Sequence, residues 1–324
     1  MPRTIHVIAP SRLHFGLWSL AGSGRQYGGV GAMVDQPGLA LSIRPADKLA
    51  AEGPLAERAT GFARRWAEFH RLALPQCAIQ MEHAPPEHAG LGTGTQLGLA
   101  VAAGLSAFVG LPSQTPQELA ISVGRGLRSA VGTHGFVLGG LIVEQGKLPG
   151  EPISPLDCRI DLPDAWRFVL VQPGGLAGLA GDCEAEAIAS LPIIAEDATQ
   201  SLIAEVRDHL VPAAATADFT AFAESLYRYG HAAGLLFAAR QGGPYNGPVL
   251  TAIVERIRKL GFAGVGQSSW GPTLYVAIES QAEAERLVQL LPREAPGELN
   301  VTIARPANQG AQVIVEDRDR ERPS

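Results

Sequence analysis

A glycine-rich segment at residues 90–96 has residue types and spacing that could do chemistry. It reads Gly-Leu-Gly-Thr-Gly-Thr-Gln, and an apolar run follows it directly. Glycines let the backbone turn tightly and approach a ligand closely. A helix that begins after such a turn presents unpaired N–H groups and the positive end of its dipole, which suits a phosphate or pyrophosphate group. The segment therefore predicts a phosphorylated ligand, and a turn that binds nothing is the alternative.

The spacing of this segment excludes two common nucleotide motifs. No Gly-Lys-Ser/Thr follows the glycines, so the segment is not a Walker loop. The glycines are spaced G-x-G-x-G, and no acidic residue stands near the ribose position of a dinucleotide fingerprint, about 20 residues further on. The identity of the phosphorylated ligand is therefore open at this point.

Composition limits the classes of function. The chain has 324 residues, enough for about two domains. Apolar residues make up 46% and charged residues 18%, which favours packed cores over disorder. A net charge of −6 argues against a nucleic-acid surface, although it allows a local basic pocket. The basic residues are mostly arginine, which holds phosphates and carboxylates through paired hydrogen bonds.

The cysteines and the N-terminus bear on the cellular compartment. Cys77, Cys158 and Cys183 form no close pair in sequence, as expected in a reducing compartment. The first residues lack the apolar core of a signal peptide, so we predict a cytoplasmic protein. The uncharged stretch 89–117 is long enough to span a bilayer, but it is rich in polar residues. We therefore predict a buried core helix there and no membrane contact.

The elements that must position the glycine-rich segment predict an α+β protein. A first strand is predicted at 4–9, with 10–16 as a tight polar connection after it. Residues 145–165 are rich in Pro and Asp, which predicts a boundary between domains 1–160 and 161–324. The remaining predictions for the first domain are strands 39–44, 77–82 and 141–144, and helices 55–72, 97–108 and 116–122.

The second half predicts a ferredoxin-like arrangement. After a strand at 168–172, two long helical segments are predicted at 183–210 and 217–240. The charged end, 316–324, is predicted to fray. An alternation typical of ferredoxin-like α+β domains follows the long helices. Its members are helix 248–260, strands 262–266 and 273–278, helix 281–291 and strand 299–304.

Three segments together resemble the GHMP kinase superfamily. Residues 9–16, Ala-Pro-Ser-Arg-Leu-His-Phe-Gly, are similar to its N-terminal motif. Residues 86–95, Pro-x-x-x-Gly-Leu-Gly-Thr-Gly-Thr, are similar to its phosphate loop, and residues 264–273, Gly-Val-Gly-Gln-Ser-Ser-Trp-Gly-Pro-Thr, to its C-terminal glycine motif. The resemblance implies a two-domain GHMP kinase-like fold with the ligand in a cleft between the domains.

A closer resemblance is to the family of β-ribofuranosylaminobenzene 5′-phosphate synthases. Residues 11–16, 90–96, 126–136 and 266–273 carry it. It implies a pentosyltransferase of methanopterin biosynthesis, which joins phosphoribosyl pyrophosphate to 4-aminobenzoate or 4-hydroxybenzoate and releases carbon dioxide and pyrophosphate. Which of the two acceptors is used stays open.

The chain departs from the kinases of the superfamily at two places. The stretch before Gly139-Gly140 reads Gly132-Thr-His-Gly-Phe136, with no acid where mevalonate-type kinases carry one. A base that accepts the hydroxyl proton in a kinase is thus missing, and Gly94 replaces the second serine of the phosphate loop. An ATP-dependent GHMP small-molecule kinase is the alternative, and a non-catalytic ligand-binding relative is a third possibility.

The resemblance to the synthases also implies roles for particular residues. It implies substitution at an anomeric carbon in which carbon dioxide departs in place of a proton, so that no strong base is needed. His134, Arg128 and Arg12 are the predicted catalytic residues. The alternatives are a surface arginine for Arg12, a turn histidine for His14, and a solvated cationic turn for Arg125 and Arg128. The predicted substrate-binding residues are His14, Gly90, Gly92, Thr93, Gly94, Thr95, Gln96, Arg125, Thr133, Ser268 and Ser269.

Mg²⁺ on the leaving pyrophosphate is the cofactor that the resemblance implies. Asp182, Glu184 and Glu186 could include a ligand, but acids at a helix start are often simply stabilised by the helix dipole. The metal ligands are therefore unassigned. The expected partners are small-molecule substrates and a second copy of the chain in a possible homodimer.

Overall fold

A computed structural model describes residues 3–20, 24–176, 178, 186–187, 190–191, 194–291 and 299–317. The first of its two sheets has β1 (Arg3–Leu17) and β2 (Gly29–Pro45) at its centre. β1 pairs with β2 on one side and with the last strand of the chain, β11 (Gln312–Asp317), on the other. The sheet also contains β3 (Ala50–Glu52), β4 (Cys77–His83), β5 (Leu141–Glu144) and β6 (Leu156–Ile160).

Helices cover one face of this sheet. They are α1 (Ala56–His70), α2 (Thr93–Val109), α3 (Pro116–Ser122) and α4 (Val131–Leu138). The predicted core helix is confirmed as α2, with Leu97, Val101 and Leu105 fully buried. Gly104 allows the close packing of α2 on the sheet, because a Cβ there would lie 2.8 Å from Cδ1 of Ile43. No helix in the described part of the chain is long and apolar enough to cross a membrane.

The second sheet has the strand order β10-β7-β9-β8, and each neighbouring pair is antiparallel. Its strands are β7 (Arg167–Pro173), β8 (Val265–Gln267), β9 (Leu274–Ile278) and β10 (Leu299–Ala304). The predicted helix-strand-strand-helix-strand order is confirmed by a helix at Gly247–Lys259, β8, β9, a helix at Gln281–Leu290 and β10. The helices of this half are α5 (Glu196–Ala204), a π-helical segment (Glu205–Leu210), α6 (Val211–Ala215), α7 (Phe219–Leu235), α8 (Ala238–Gln241), α9 (Gly247–Lys259) and α10 (Gln281–Leu290).

The apolar core of the second half continues into the first sheet. Phe15 of β1 stacks on Phe168 of β7 with ring centroids 6.2 Å apart, and its ring is tilted against that of Tyr275 of β9, with centroids 4.8 Å apart. Phe222 of α7 belongs to the same buried cluster. The division of the chain at residue 160 stays a prediction, and β11 returns the chain to the first sheet.

Two predictions about the strands differ from the structure. Residues 10–16 are not a connection, because β1 runs on to Leu17 with register shifts after Ala9 and His14 that keep it paired with β2. Glu316 lies in β11 opposite Thr4 and is not frayed. In each case the residues are in a strand because their backbone pairs with a partner that is distant in sequence. A local sequence pattern does not indicate such pairing.

Candidate active site

A cleft of about 210 Å³ lies between the two sheets, against the second half of β1. Arg12 lines it, and so do the consecutive residues 14–17. Arg12 and His14 share a face of the strand, and the register shift after His14 interrupts the alternation. Along β1, Arg12 is near the start of α2, and Gly16 is next to Ala233 of α7. His14 therefore stands between the α2 end and the α7 end of the cleft.

The three sequence motifs meet at this strand. The backbone N–H of Arg12 donates to the carbonyl of Leu91 at 3.0 Å, which fixes the glycine-rich segment beside β1. The N–H of His14 donates to Oγ of Ser268 at 3.0 Å, and the N–H of Ser269 donates to the carbonyl of His14 at 3.0 Å. Ser268 Oγ in turn donates to the carbonyl of Gly90 at 2.7 Å. The structure thus brings together the segments that the sequence singled out.

The glycine-rich segment forms the entry to α2. Gly92 is the N-cap with φ of 71°, a left-handed conformation that favours glycine, and no described side chain caps the helix. The hydroxyl of Thr93 donates to the carbonyl of Pro86 at 3.0 Å, so it braces the turn. Thr95 lines the cleft. The first N–H groups of α2 therefore keep their capacity to bind an anion.

Gln96 points into the interior. Its Nε2 donates to the carbonyl of Gly132 at 2.9 Å, and the residue is fully buried. This hydrogen bond ties α2 to α4. We assign Gln96 to holding these two helices together, and its predicted contact with substrate gains no support from the cleft.

Arginines surround the start of α2. Arg12, Arg125 and Arg128 line the cleft, the last two from the loop between α3 and α4. Arg12 Nη1 is 3.4 Å from the carbonyl of Gly90. The guanidinium of Arg125 lies over the ring of Phe62, 4.9 Å from its centroid, which orients it. This end of the cleft is therefore a site for anions.

A fourth arginine was missed in the sequence. Arg58 of α1 forms an ion pair with Glu87, and a Cβ on Gly94 would clash with its Nη2. Partial burial lowers the pKa of Arg58 from its ordinary value. The guanidinium groups of Arg58 and Arg125 thus both approach the first turn of α2 at Gly94. The arginine-rich pattern of the helix 55–72 is the signal that pointed to it.

The other end of the cleft is apolar and aromatic. Phe237 and Trp270 meet edge to face, with ring centroids 4.9 Å apart and planes at 77°. Leu17, Ala233 and Pro244 complete this wall. An aromatic ligand fits such a wall, since edge-to-face and offset contacts between rings are favourable.

A buried acid that the sequence did not single out stands behind His14. Nε2 of His14 is 3.0 Å from Oγ of Ser129, which donates to Oε1 of Glu144 at 2.5 Å. The N–H of Ala130 donates to Oε2 at 2.6 Å. Burial raises the pKa of Glu144 to about 7, against the opposing effect of these hydrogen bonds. Burial, with the nearby charge of Arg12, holds the pKa of His14 well below its usual value, so this imidazole is neutral at pH 7.

His134 and Thr133 do not reach the cleft lining. Nε2 of His134 lies 2.8 Å from the carbonyl of Ser154, and burial lowers the pKa of this histidine. Thr133 is fully buried on α4. The flanking glycines, which made a ligand contact attractive, serve packing: a Cβ on Gly135 would lie 2.3 Å from Sδ of Met33. We therefore assign His134 to anchoring Ser154, and its catalytic role has no geometric support.

The described lining of the cleft does not fit a resident Mg²⁺. This described lining contains no carboxylate, and Mg²⁺ prefers oxygen ligands. Among the described residues, no cluster of three His, Cys, Asp or Glu side chains could hold a metal ion. Asp182 and Glu184 lie outside the described residues, and Glu186 is not among the lining residues.

Comparison with known proteins agrees with the fold and with the motifs. Residues 210–296 match the family model described as GHMP kinases C terminal. A homoserine kinase from Cytophaga hutchinsonii has a TM-score of 0.71 at 17% identity, over 96% of this chain and 97% of that one. Mevalonate-3-kinase from Thermoplasma acidophilum has a TM-score of 0.66 at 13% identity, over 97% and 99%. The predicted GHMP kinase-like fold is confirmed.

Relatives in sequence extend over nearly the whole chain. A Methanothermobacter thermautotrophicus protein named beta-ribofuranosylphenol 5'-phosphate synthase is 29% identical over 94% of this chain and 97% of its own length. A protein of the same name from Archaeoglobus fulgidus is also 29% identical, over 94% of this chain and 98% of that protein. The closer resemblance predicted from the motifs is thus confirmed as homology.

Proposed function

We propose that this homologue of the ribofuranosylphenol phosphate synthases, with its GHMP kinase fold, is a pentosyltransferase of methanopterin biosynthesis. It transfers the phosphoribosyl group of phosphoribosyl pyrophosphate to 4-hydroxybenzoate, with loss of carbon dioxide and pyrophosphate. One observation carries the proposal: a single cleft joins an arginine-lined end at the start of α2 to an aromatic wall at Phe237 and Trp270.

The donor occupies the arginine-lined end in this proposal. Its pyrophosphate lies against the first N–H groups of α2 and the hydroxyl of Thr95, with Arg12 beside them. Arg125 and Arg128 are placed to hold the 5′-phosphate. Donors that are already oriented stabilise the charge that develops on the leaving group as the bond breaks.

The acceptor occupies the apolar end. The relatives' name specifies a phenol as their product, which favours 4-hydroxybenzoate over 4-aminobenzoate. The wall formed by Phe237 and Trp270 suits its ring, and the arginines of the same cleft suit its carboxylate. Held there, the ring carbon that bears the carboxylate can face the anomeric carbon of the donor.

The bonds of the proposed reaction balance without a base on the ring. The bond between the anomeric carbon and the pyrophosphate oxygen breaks, and pyrophosphate leaves with the electron pair. The ring carbon bonds to the anomeric carbon. The bond to the carboxylate then breaks, and its electrons restore the aromatic ring as carbon dioxide departs. No proton leaves the ring, which agrees with a described lining that lacks a carboxylate.

In this proposal Mg²⁺ binds to the cleft together with the donor. Mg²⁺ usually keeps several waters and binds through substrate phosphates, and the described lining offers it no carboxylate. We therefore propose that the ion is carried by the pyrophosphate. The homodimer and the cytoplasmic location stay predictions, and light scattering of the purified protein tests the first.

The experiment supplies phosphoribosyl pyrophosphate, Mg²⁺ and 4-hydroxybenzoate labelled in its carboxyl group. Release of labelled carbon dioxide and pyrophosphate in equal amounts supports the proposal. A parallel sample receives ATP and small alcohols. ADP formation there, without carbon dioxide release in the first sample, would establish the kinase instead. Tight binding of the donor without turnover in either sample would indicate a non-catalytic relative.

A further inference from the structure

Glu144, Ser129 and His14 form a hydrogen-bonded series from the protein interior to the cleft. Glu144 closes β5 and is fully buried. Its Oε1 accepts from Ser129 Oγ at 2.5 Å, and that oxygen lies 3.0 Å from Nε2 of His14. The Ser154 hydroxyl also bonds the carboxylate. The reaction as proposed above assigns no task to this series.

Resting on the proposed function, we propose that Glu144 and Ser129 are positioning residues that fix the His14 imidazole in one tautomer. In that tautomer Nε2 carries the proton, and Nδ1 accepts a hydrogen bond from a hydroxyl of the donor's ribose. His14 thereby becomes a residue of the sugar subsite, between the anion end and the aromatic end of the cleft.

The direction of the hydrogen bonds follows from the acid. An ionised carboxylate only accepts, so the Ser129 hydroxyl must donate its single proton to Glu144. Ser129 Oγ can then only accept from His14, which requires a proton on Nε2. The charge on Glu144 thus sets the tautomer of His14 through the hydroxyl of Ser129.

The position of His14 selects the sugar as its partner. Arg12, two residues before it on the same face of β1, belongs to the anion end, and Gly16, two residues after it, contacts α7 at the apolar end. The ribose joins the phosphates to the carbon that the arene attacks, so it must lie between these ends. Hydrogen bonds to sugar hydroxyls strengthen as an oxocarbenium-like transition state forms.

Protonation of Glu144 reverses the direction of the hydrogen bonds in the series. A neutral carboxyl donates to Ser129, whose hydroxyl then donates to Nε2 of His14 and moves the imidazole proton to Nδ1. Arg12 of β1 and Tyr229 of α7 are further charged or titratable groups that interact with Glu144 or His14. The charge of Arg12 lowers the pKa of both, and burial raises the pKa of Tyr229, which therefore stays a neutral phenol.

Nuclear magnetic resonance of the protein labelled with ¹⁵N-histidine tests the tautomer without any turnover. The wild type should show the Nε2–H form of His14 at pH 8 and the Nδ1–H form well below the pKa of Glu144, about 7. Glu144→Gln places an amide donor toward Ser129 and should show the Nδ1–H form at both values. Ser129→Ala should uncouple the tautomer from pH, and Ser129→Thr should restore the coupling. The His134 signal, held by Ser154, is the internal control.

Kinetics test the sugar contact. The kcat/KM of the wild type should fall as the pH drops through about 7. The kcat/KM of Glu144→Gln should not show this fall. At pH 8 it should be about 10- to 100-fold lower than that of the wild type, the range expected for one hydrogen bond to a developing charge. Removal of the 2- or the 3-hydroxyl from the ribose of the donor should lower kcat/KM much more for the wild type than for His14→Asn.

The outcomes separate this proposal from the proposed function. A His14 tautomer that is the same at pH 8 in the wild type and in Glu144→Gln overturns the positioning role, whatever the turnover. Equal losses for both deoxy donors in the wild type and in His14→Asn overturn the sugar contact. Absence of carbon dioxide release by the wild type overturns the proposed function, and with it the sugar contact, while the tautomer experiment still decides the positioning role.

Discussion

The hydroxyl of Ser268 donates a 2.7 Å hydrogen bond to the carbonyl oxygen of Gly90, which lies 178 residues earlier in the chain. The same hydroxyl accepts the N–H of His14 at 3.0 Å. One fully buried side chain thus satisfies two backbone groups, one from the phosphate loop and one from β1. The C-terminal glycine motif of this chain therefore acts by fixing the distance between the other two motifs.

Ser268→Ala should lower both stability and activity. The substitution leaves the N–H of His14 and the carbonyl of Gly90 without this partner, and a buried unsatisfied group costs about 1–3 kcal/mol. We expect a loss of that size in the free energy of unfolding, measured by urea denaturation, and a lower kcat/KM. Ser269→Ala is the matched control for stability, because Ser269 bonds His14 through its backbone N–H. Equal stability of the two variants would contradict the role of Ser268.

Gly92→Val should abolish turnover while leaving the fold largely intact. A branched side chain at φ of 71° is strained, and its Cβ would lie 3.2 Å from Cβ of Arg12. Displacing Arg12 and the first N–H groups of α2 should reduce kcat/KM by about 100-fold or more, the effect of losing one oriented donor. Circular dichroism and steady-state kinetics measure the two properties.

The control for this loop variant is another glycine. Gly61 lies within α1, and a Cβ there meets nothing within 4 Å. Gly61→Ala should keep full activity and gain up to about 1 kcal/mol in stability from helix propensity. A folded Gly92→Val protein with the activity of Gly61→Ala would show that the loop is not the pyrophosphate site.

The sequence predicted the motif residues well because their backbone requirements are local. Gly92 needs a left-handed conformation, and α2 needs a start, and both leave a readable pattern of glycines before an apolar run. The arginines at 12, 125 and 128 were also predicted for the site, and all three line the cleft. The sequence shows that these arginines are present, but only the fold shows that they lie in the same cleft.

Glu144 and His134 show why the rest could not be predicted. Glu144 ends the apolar strand Leu-Ile-Val-Glu, and nothing in that pattern indicates that α4 and Ser129 will cover it. His134 stands between glycines, which suggested a ligand. Its actual partner is the carbonyl of Ser154, 20 residues further along. Both assignments depend on long-range packing, which a single sequence does not encode as a local signal.

Arg128→Ala should weaken binding of the donor. Arg128 lines the anion end of the cleft, and a hydrogen bond to a charged group contributes about 1.5–3 kcal/mol. We therefore expect the KM for phosphoribosyl pyrophosphate to rise by about 10- to 100-fold, with a partial recovery in Arg128→Lys. Arg64→Ala makes the same charge change on the exposed face of α1 and is the control. An unchanged KM for both substrates would remove Arg128 from the site.

Phe237→Leu should affect the acceptor and spare the donor. Phe237 contacts Trp270 edge to face at the apolar end of the cleft, and aromatic pairs contribute about 0.5–1.5 kcal/mol beyond the area they bury. The KM for 4-hydroxybenzoate should rise by about 2- to 10-fold. Phe69→Leu, at an exposed position on α1, is the control. A larger change in the KM of the donor than of the acceptor would place the ring elsewhere.

Glu144→Gln should change how the stability of the protein depends on pH. The folded-state pKa of Glu144 is raised to about 7 from 4.5, so the folded protein holds this proton more tightly than the unfolded chain. The resulting stabilisation is fully present below the unfolded pKa and is lost as the pH rises through the folded pKa. Between pH 5 and pH 8 the wild type should therefore lose about 2–3 kcal/mol relative to Glu144→Gln.

Glu118→Gln provides the opposite sign in the same experiment. Hydrogen bonds from the backbone and then the side chain of Thr115 lower the pKa of Glu118, an exposed residue in a capping box. Its stabilisation is present above the unfolded pKa and is lost as the pH falls through the folded pKa. Urea denaturation of the wild type and both variants at several pH values separates the two contributions. Because the buried acid dominates between pH 5 and pH 8, a wild type that loses no stability relative to Glu144→Gln over that interval would mean that Glu144 is ionised throughout. The series to His14 would then keep one direction, with Nε2 protonated throughout that interval.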